Sequence, residues 1–308
     1  MKDLFWILSI EGGGIRGVFA AQILKRIQEE LKITFSERFD IIAGTSTGSI
    51  IAAGLAVDYP IDKIVSLYRT KGEKIFTRNY SEKFNWFNWK GLFQSKYSNH
   101  FLKQELSAVF GDKTLSDTKT RLIIPASDIS NGNVFVLKSN YDQNFVRDKD
   151  TKLFDAVLAS CSAPTFFDPH RIKEYLLADG GLWANNPALV ALTEAMGRRF
   201  KIPRENIRIL SIGTGRGKKY YDPKDADKSW GFKQWGTGLI STVMNLQSVN
   251  VENIVRFMLE DEKFFTINFD TDCDVALDDV CFVENLIARA DERFTYLFEK
   301  IKKFLTGG

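Results

Sequence analysis

The first sixty residues alternate short apolar runs with stretches of helical periodicity. Residues 4–10 form a continuous apolar run rich in branched and aromatic side chains, which predicts a buried strand. Apolar residues then recur at helical spacing between positions 18 and 31, which predicts an amphipathic helix. Residues 39–43 repeat the strand pattern, and residues 47–57 are apolar nearly all round, which predicts a buried helix.

The same alternation continues along the chain. Further strands are predicted at residues 121–126, 134–138, 175–178 and 207–212. Strands that alternate with helices imply an α/β fold of three layers, with a mainly parallel central sheet and helices on both faces.

Beyond residue 221 the pattern becomes mostly helical. An apolar stripe at helical spacing predicts a terminal helix, and it consists of Leu286, Ala290, Phe294, Leu297, Ile301 and Phe304. We find no repeat and no linker, so we expect one domain over residues 1–308. Its core would cover about residues 4–215, and a mostly helical C-terminal extension would cover about residues 222–308.

Composition excludes several classes of protein. The 308 residues are 44% hydrophobic and 26% charged, which is typical of a globular chain. A formal charge of +3 is too balanced to indicate a nucleic-acid partner. The chain has 3 cysteines, too few for a disulfide framework. We find neither a signal-peptide pattern nor an apolar run of the ~20 residues that a membrane span needs, so we expect a cytoplasmic protein.

Residues 44–48 spell G-T-S-T-G between a predicted strand and a predicted buried helix. A sharp strand-to-helix turn would expose the hydroxyl of Ser46, and Gly44 and Gly48 remove side chains that would collide there. The helix N-terminus adds a dipole that favours developing negative charge. The pattern favours a nucleophilic serine, and a glycine-rich turn with an N-cap serine is the alternative.

Residues 11–17 spell E-G-G-G-I-R-G directly after the first predicted strand. Consecutive glycines can point successive backbone N–H groups into one concavity, as an oxyanion hole requires. Gly12, Gly14 and Gly17 also match the dinucleotide-binding fingerprint, but that site needs an acidic residue at the end of the second strand. The second strand runs instead straight into the serine turn, which disfavours a dinucleotide cofactor. A turn built of glycines for packing alone is the other alternative.

A nucleophilic serine needs a base, and the chain has only 2 histidines. Of these only His170 could complete the triad of an α/β-hydrolase, and its polar surroundings favour a surface role. The other candidate base is Asp179, which follows the strand predicted at residues 175–178 and precedes Gly180 and Gly181. We expect it at the carboxyl end of a sheet strand, where functional groups of α/β sheets collect.

The motifs E-G-G-G-I-R-G, G-T-S-T-G and D-G-G, in this order and spacing, resemble those of the patatin-like phospholipases, which are Ser–Asp dyad lipid acyl hydrolases. The resemblance implies the three-layer patatin-like fold, with Ser46 as nucleophile and Asp179 as general base. It also implies an oxyanion hole formed by the amides of Gly12, Gly13 and Gly14. Residues that would support these motifs are Arg16, Gly17, Gly44, Gly48, Gly180 and Gly181.

The chain departs from the family pattern at Glu11, where the family usually has aspartate. That residue precedes the glycines and is not thought to take part in the chemistry, so the change puts little in doubt.

Later segments extend the resemblance to the bacterial patatin-like effectors of anti-phage CBASS systems, which a cyclic dinucleotide activates to degrade membrane phospholipid. These segments are residues 96–97, 109–112, 159–165, 181–187 and 210–215. The resemblance implies a phospholipase that contacts the inner face of the membrane peripherally. It implies a cyclic dinucleotide activator and neither a metal ion nor another cofactor.

Three alternatives stay open at this point. The protein could be a constitutive lipid acyl hydrolase, an acyltransferase without nucleotide gating, or a catalytically silent ligand-binding regulator. Whether the chain forms a homo-oligomer is open as well.

Three further segments have compositions of interest. Aromatic residues interleaved with lysines at positions 83–97 suit a membrane-facing surface or a lid, and equally an ordinary core. Residues 216–221 carry cations and aromatic rings that could hold a cyclic dinucleotide, although a solvated loop is favoured. Residues 270–274 begin like a calcium loop but lack its later glycine and glutamate, which favours a solvated acidic loop.

Overall fold

A computed structural model of the chain describes residues 4–77, 95–217, 238–271 and 275–306, together with residues 224, 227, 229 and 235. The strands are β1 (Phe5–Ile10), β2 (Ile41–Gly44), β3 (Arg121–Asp128), β4 (Asn133–Lys138), β5 (His170–Ile172), β6 (Tyr175–Asp179), β7 (Ile207–Ile212), β8 (Arg216–Gly217), β9 (Phe264–Ile267) and β10 (Asp270–Thr271). The helices are α1 (Gly17–Leu31), α2 (Phe35–Arg38), α3 (Thr47–Ala56), α4 (Ile61–Ile75), α5 (Asn99–Phe110), α6 (Leu153–Cys161), α7 (Gly181–Ala184), α8 (Ala188–Met196), α9 (Gly238–Met258) and α10 (Val283–Thr306).

The centre of the fold is an eight-stranded sheet in the order β5-β6-β3-β2-β1-β7-β9, with β4 paired to β3. The pairs from β3 to β9 along this order are parallel, whereas β4 and β6 pair with β3 in antiparallel fashion, as β5 does with β6. Ile10 of β1 lies opposite both Gly44 of β2 and Ile212 of β7. The loops that follow these three strands therefore meet at one edge of the sheet, where ligands of α/β sheets bind.

Helices cover both faces of the sheet, as the sequence predicted. Successive residues of a strand point to opposite faces, so Trp6, Leu8 and Ile10 of β1 enter the larger apolar core. That core also contains residues of α1, α3, α4 and α10. Phe5 and Ile7 enter the second core, which α8 and α9 cover. All ten residues of α3 are buried, which explains why its sequence is apolar all round.

The C-terminal part of the chain contributes more than the predicted helices. Strand β9 extends the central sheet next to β7, although the sequence analysis did not predict it. The predicted terminal helix is present as α10, and its stripe packs against α1 in the larger core. Phe304 is only partly buried and stacks on Phe265 with ring centroids 5.4 Å apart. Within the described ranges, no helix is long and apolar enough to cross a bilayer.

Two neighbouring aromatic residues of α10 provide a matched test of this packing. Phe294 is 2% exposed and Tyr296 is 79% exposed. We expect Phe294→Ala to lower the free energy of unfolding by about 3–5 kcal/mol, because it leaves a cavity against α1. Tyr296→Ala should change it by less than about 0.5 kcal/mol. Urea unfolding followed by circular dichroism measures both, and equal losses would contradict the placement of α10.

Candidate active site

The turn between β2 and α3 holds Ser46 in a backbone conformation that non-glycine residues rarely adopt. Its φ is 52° and its ψ is −128°. The Ser46 N–H donates to Ser160 Oγ at 2.9 Å, which helps to hold the turn. A Cβ atom at Gly48 would lie 2.3 Å from the carbonyl oxygen of Ile10, so this position requires glycine. A Cβ atom at Gly44 would lie 2.2 Å from the Gly48 carbonyl oxygen and is excluded in the same way. The strained backbone conformation of Ser46 persists only because the surrounding structure enforces it.

Ser46 and Asp179 are in direct contact. The Ser46 hydroxyl donates a hydrogen bond of 2.7 Å to Asp179 Oδ2, and the Gly181 N–H donates one of 2.6 Å to Asp179 Oδ1. Burial raises the pKa of Asp179 to about 7, against the lowering effect of these two hydrogen bonds. Near neutral pH this carboxyl group can therefore both accept and release a proton, as acid–base chemistry on Ser46 requires.

Asp179 approaches the serine from the direction opposite to that expected for a parallel strand. Strand β6 is antiparallel to β3, with Asp179 paired to Ala126. Ala43 of β2 pairs with Ile123, so β3 continues past the end of β2 to Asp128. Strand β6 starts beyond this edge and runs back towards it. The predicted position of Asp179 at the end of its strand is correct, but the overhang of β3 explains why that end lies at the site.

The glycine-rich loop after β1 is also held from several sides. The Gly12 N–H donates to the Asn185 carbonyl at 3.1 Å, and the Gly12 carbonyl accepts from Thr214 Oγ1 at 2.8 Å. The Gly12 amide thus already donates a hydrogen bond within the protein. This differs from the expectation that the amides of Gly12, Gly13 and Gly14 together form the oxyanion hole. The amides of Gly13 and Gly14 have no hydrogen-bond partner among the residues that the structure describes. Gly14 has a φ of 58°, which favours glycine there, and it lines the same cavity as Ser46.

The remaining motif residues make close contacts around the site. Arg16 is 3% exposed, and its Nε donates to the Gly13 carbonyl at 3.3 Å. Gly17 begins α1 where any side chain would approach Tyr68, and Gly180 packs directly on the carbonyl of Pro125.

An apolar cavity extends from Ser46 and Asp179 into the larger core. Water-sized molecules have about 50 Å³ of room inside it, and the surrounding depression is partly open to solvent. Its apolar lining includes Ile50, Leu67, Ile75, Phe76, Phe166 and Phe167. A hydrocarbon chain fits such a lining, with polar groups confined to the end at which the serine lies.

Residues from the C-terminal part of the chain complete the site. Met244 of α9 and Leu277 line the cavity. The Leu277 carbonyl accepts a hydrogen bond of 2.7 Å from the Ile15 N–H, directly after the glycines. Ser248 of α9 accepts one of 2.9 Å from Asn185 Nδ2. Sequence reasoning did not assign roles to these residues, because no local motif links them to the serine.

His170 is not part of this arrangement. Its Nε2 lies 2.8 Å from Asp155 Oδ1 on α6, and the residue begins the short strand β5. The structure therefore brings Asp179, and not His170, into contact with Ser46.

A second buried carboxyl group lies just before the glycines. Glu11 is 3% exposed and accepts a hydrogen bond of 2.8 Å from Asn186 Nδ2. Burial raises the pKa of Glu11 to about 7, and the positive charge of Arg216 opposes this shift. Arg216 itself pairs with Glu252 of α9.

Much of the three segments noted for their composition lies outside the described residues. This holds for residues 83–94 of the aromatic segment, 218–221 of the basic segment and 272–274 of the acidic segment. At the end of the aromatic segment, Tyr97 is 2% exposed and Lys96 pairs with Asp278. This end therefore belongs to the protein interior.

Comparison with known proteins agrees with these features. A family model described as "Patatin-like phospholipase" matches residues 8–192. A "cGAMP-activated phospholipase" of Pseudomonas aeruginosa is 31% identical over 264 residues, which cover 84% of this chain and 77% of that protein. A "cGAMP-activated phospholipase" of Escherichia coli is 36% identical over 222 residues, which cover 68% of this chain and 61% of that protein.

The similarity is not confined to bacteria. "Patatin-like protein 4" of Arabidopsis thaliana is 32% identical over 270 residues, which cover 76% of this chain and 65% of that protein. The chain thus aligns with less than two thirds of the Escherichia coli and Arabidopsis proteins. The family match includes the glycine-rich loop, the serine turn and Asp179, which are the parts that meet at the carboxyl edge of the sheet. The chain belongs to the patatin-like phospholipase family.

Proposed function

We propose that this protein hydrolyses acyl esters of membrane glycerophospholipids, with Ser46 as nucleophile and Asp179 as general base. The observation that carries the proposal is the 2.7 Å hydrogen bond between Ser46 Oγ and Asp179 Oδ2. Both residues lie in the wall of an apolar cavity that suits an acyl chain.

The reaction begins when Asp179 accepts the proton of Ser46 as Ser46 Oγ attacks the acyl carbonyl carbon. The carbonyl oxygen becomes an oxyanion, which the amides of Gly13 and Gly14 stabilise. When the intermediate collapses, Asp179 returns the proton to the leaving lysophospholipid. Water then attacks the acyl-enzyme, with Asp179 again as base, and releases the fatty acid.

The burial of Asp179 explains how a carboxylate can serve as the base. An exposed aspartate, with a pKa of about 4, is too weak a base to take a proton from an alcohol efficiently. Removal from water raises the pKa of Asp179 to about 7 and so strengthens it as a base. The gap to the pKa of serine remains large, and the oxyanion hole must therefore supply much of the rate enhancement.

We also propose that a cyclic dinucleotide activates the enzyme, as an effector of anti-phage defence at the inner face of the membrane. Support comes from the two bacterial relatives that are named cGAMP-activated phospholipases. Arg216 belongs to the segment at residues 216–221 whose composition suits a cyclic dinucleotide, and the structure describes it. Its pairing with Glu252, and its effect on the pKa of Glu11, connect that segment to the residue before the oxyanion glycines.

The first test is the release of free fatty acid from mixed phospholipid vesicles, with and without a panel of cyclic dinucleotides. We expect Ser46→Ala and Asp179→Asn each to lower the rate on the order of 10³-fold or more, because they remove the nucleophile and the base. His170→Ala should retain activity, since His170 pairs with Asp155 instead.

The outcomes separate the alternatives. Release that depends on Ser46 and rises with one nucleotide supports a gated phospholipase. Release that depends on Ser46 but ignores every nucleotide contradicts the gating and leaves a constitutive hydrolase. Transfer of the acyl group to added lysophospholipid in place of hydrolysis identifies an acyltransferase. Full activity of Ser46→Ala overturns the mechanism.

The pKa of Asp179 gives a pH prediction. The carboxylate must be ionised to accept the serine proton, so kcat/KM should be low in acid and rise with an inflection at the Asp179 pKa of about 7. Glu11 has a pKa of about 7 as well, and its side chain contacts Asn186 rather than Ser46. Glu11→Gln should therefore keep the inflection, and its disappearance in that variant would assign the titration to Glu11 instead.

A further inference from the structure

A second cavity lies where α10 passes the turn between β9 and β10. Its lining comes from residues 268–270 and from four residues of α10. Water-sized molecules have about 470 Å³ of room inside it, against about 50 Å³ in the cavity beside Ser46. Volumes of about 300–1,000 Å³ are typical of sites for small molecules. The size of this cavity therefore suits a ligand of its own.

The four lining residues of α10 share one face of the helix, since they follow one another at helical spacing. They are Arg289, Glu292, Arg293 and Tyr296. This face lies next to the apolar stripe that packs into the larger core, so it carries polar side chains. Tyr296 is 79% exposed, which leaves its ring open to contact with a ligand.

The two arginines are not paired with carboxylates in the part of the chain that the structure describes. Arg289 Nε donates to Asn285 Oδ1 at 2.7 Å, and Arg293 Nε makes no hydrogen bond there. Asp291, which lies between the two arginines in the sequence, pairs with Arg26 instead. A guanidinium group binds a phosphate group through two parallel N–H donors. Two unpaired guanidinium groups beside one cavity therefore suit a ligand with phosphate groups.

The rest of the lining suits a nucleobase. Tyr296 and Phe269 bring aromatic rings to the cavity, and Arg289 lies over the Phe269 ring at 5.9 Å from its centroid. Aromatic rings and guanidinium groups both stack on bases. The carboxylates of Asp270 and Glu292 also line the cavity. They repel an isolated phosphate ion but accept hydrogen bonds from the N–H groups of a base. A nucleotide thus fits this mixture of charges better than inorganic phosphate does.

The cavity is connected to the glycine-rich loop through the turn that follows β7. Asn268 Oδ1, in the cavity wall, accepts a hydrogen bond of 2.9 Å from the Gly215 N–H. The preceding residue, Thr214, donates through Oγ1 to the Gly12 carbonyl at 2.8 Å. Strand β10, which begins in the cavity wall, also pairs with β8 just after this turn. A ligand that moves the wall of the cavity therefore also acts on a support of the glycine-rich loop.

We propose that this cavity binds the activating cyclic dinucleotide. Arg289 and Arg293 bind its phosphates, and Tyr296 stacks on a base. Binding acts on the glycine-rich loop through Asn268 and Thr214, and it activates the enzyme because the nucleotide binds more tightly to the active arrangement of that loop. This inference rests on the proposed function, since it gives a site to the nucleotide gating proposed there.

The experiment measures Kd by isothermal titration calorimetry for cGAMP, cyclic di-GMP, cyclic di-AMP, GMP and inorganic phosphate. It compares wild type, Arg289→Gln, Arg293→Gln, Tyr296→Ala and Ser46→Ala, and it records Tm for each protein. Lys300→Gln is the matched control, because it removes one exposed positive charge from α10 outside the cavity.

We expect wild type to bind one of the cyclic dinucleotides, and to bind GMP and phosphate more weakly. Each Arg→Gln change should raise its Kd on the order of 10-fold or more, because charge-assisted hydrogen bonds to phosphate are lost. Tyr296→Ala should raise it on the order of 10-fold through lost stacking. The nucleotide concentration that gives half-maximal fatty acid release should rise in parallel. Lys300→Gln should stay within about twofold of wild type, since a distant exposed charge is screened.

Three results would overturn this inference. Wild-type affinity in all three cavity variants would place the nucleotide elsewhere and leave the gating itself intact. Equal affinity for inorganic phosphate and for every cyclic dinucleotide would reduce the cavity to an anion site. Binding of no cyclic dinucleotide to wild type would remove the gating together with its site.

Two further readouts keep these outcomes distinct. Ser46→Ala should bind the nucleotide like wild type, because Ser46 lines the other cavity, and its loss of hydrolysis tests the catalytic proposal separately. If an arginine variant has a lowered Tm, Tyr296→Ala decides the result, since the exposed Tyr296 side chain contributes little to folding.

Discussion

The hydrogen bond between Ser46 and Asp179 joins two turns that are 133 residues apart in the chain. Neither turn could meet the other without the sheet between them. Strand β2 ends just before Ser46. Strand β6 runs antiparallel to the end of β3 that extends past β2, and it ends at Asp179 beside the serine. The glycine-rich loop after β1 arrives at the same edge because β1 and β2 end in register. The site is therefore a consequence of strand order and strand length.

The sequence predicted those parts of the site that local chemistry determines. Gly44, Ser46 and Gly48 were identified because a sharp strand-to-helix turn needs those residue types at that spacing, and the close contacts of the glycines agree. The central strands and the buried helix α3 were predicted because their apolar patterns are continuous and strong.

What the sequence could not predict depends on pairing between distant segments. The five residues of β6 contain no pattern that distinguishes an antiparallel from a parallel strand. The four residues of β9 form an apolar run too short to be told apart from other short apolar segments. The Asn185 carbonyl accepts the hydrogen bond of the Gly12 amide, and the two residues are too far apart in the sequence for one motif to include both. The division of the chain into a core and a C-terminal extension stays a prediction, and the site draws residues from both sides of it.

Activity and stability place opposite demands on Asp179. Its pKa is raised in the folded protein, so the neutral carboxyl group is favoured by folding, and the stability that this contributes is lost as the pH rises towards 7. The ionised form, which the proposed chemistry needs, is thus the form that the fold tolerates less well. The hydrogen bonds from Ser46 and Gly181 limit this cost by solvating the charge inside the protein.

Met244 and Leu277 line the cavity wall from a later part of the chain than Ser46 and Asp179. Ser46, Asp179 and the glycine-rich loop all fall within residues 8–192, the stretch that the family model matches, whereas Met244 and Leu277 come later in the chain. Substitutions at Met244 or Leu277 can thus reshape the cavity while Ser46 and Asp179 stay unchanged. The bond from the Ile15 N–H to the Leu277 carbonyl limits that freedom, because a remodelled wall must still support the loop beside the serine. The shape of the cavity and the position of the glycine-rich loop are therefore coupled at that contact.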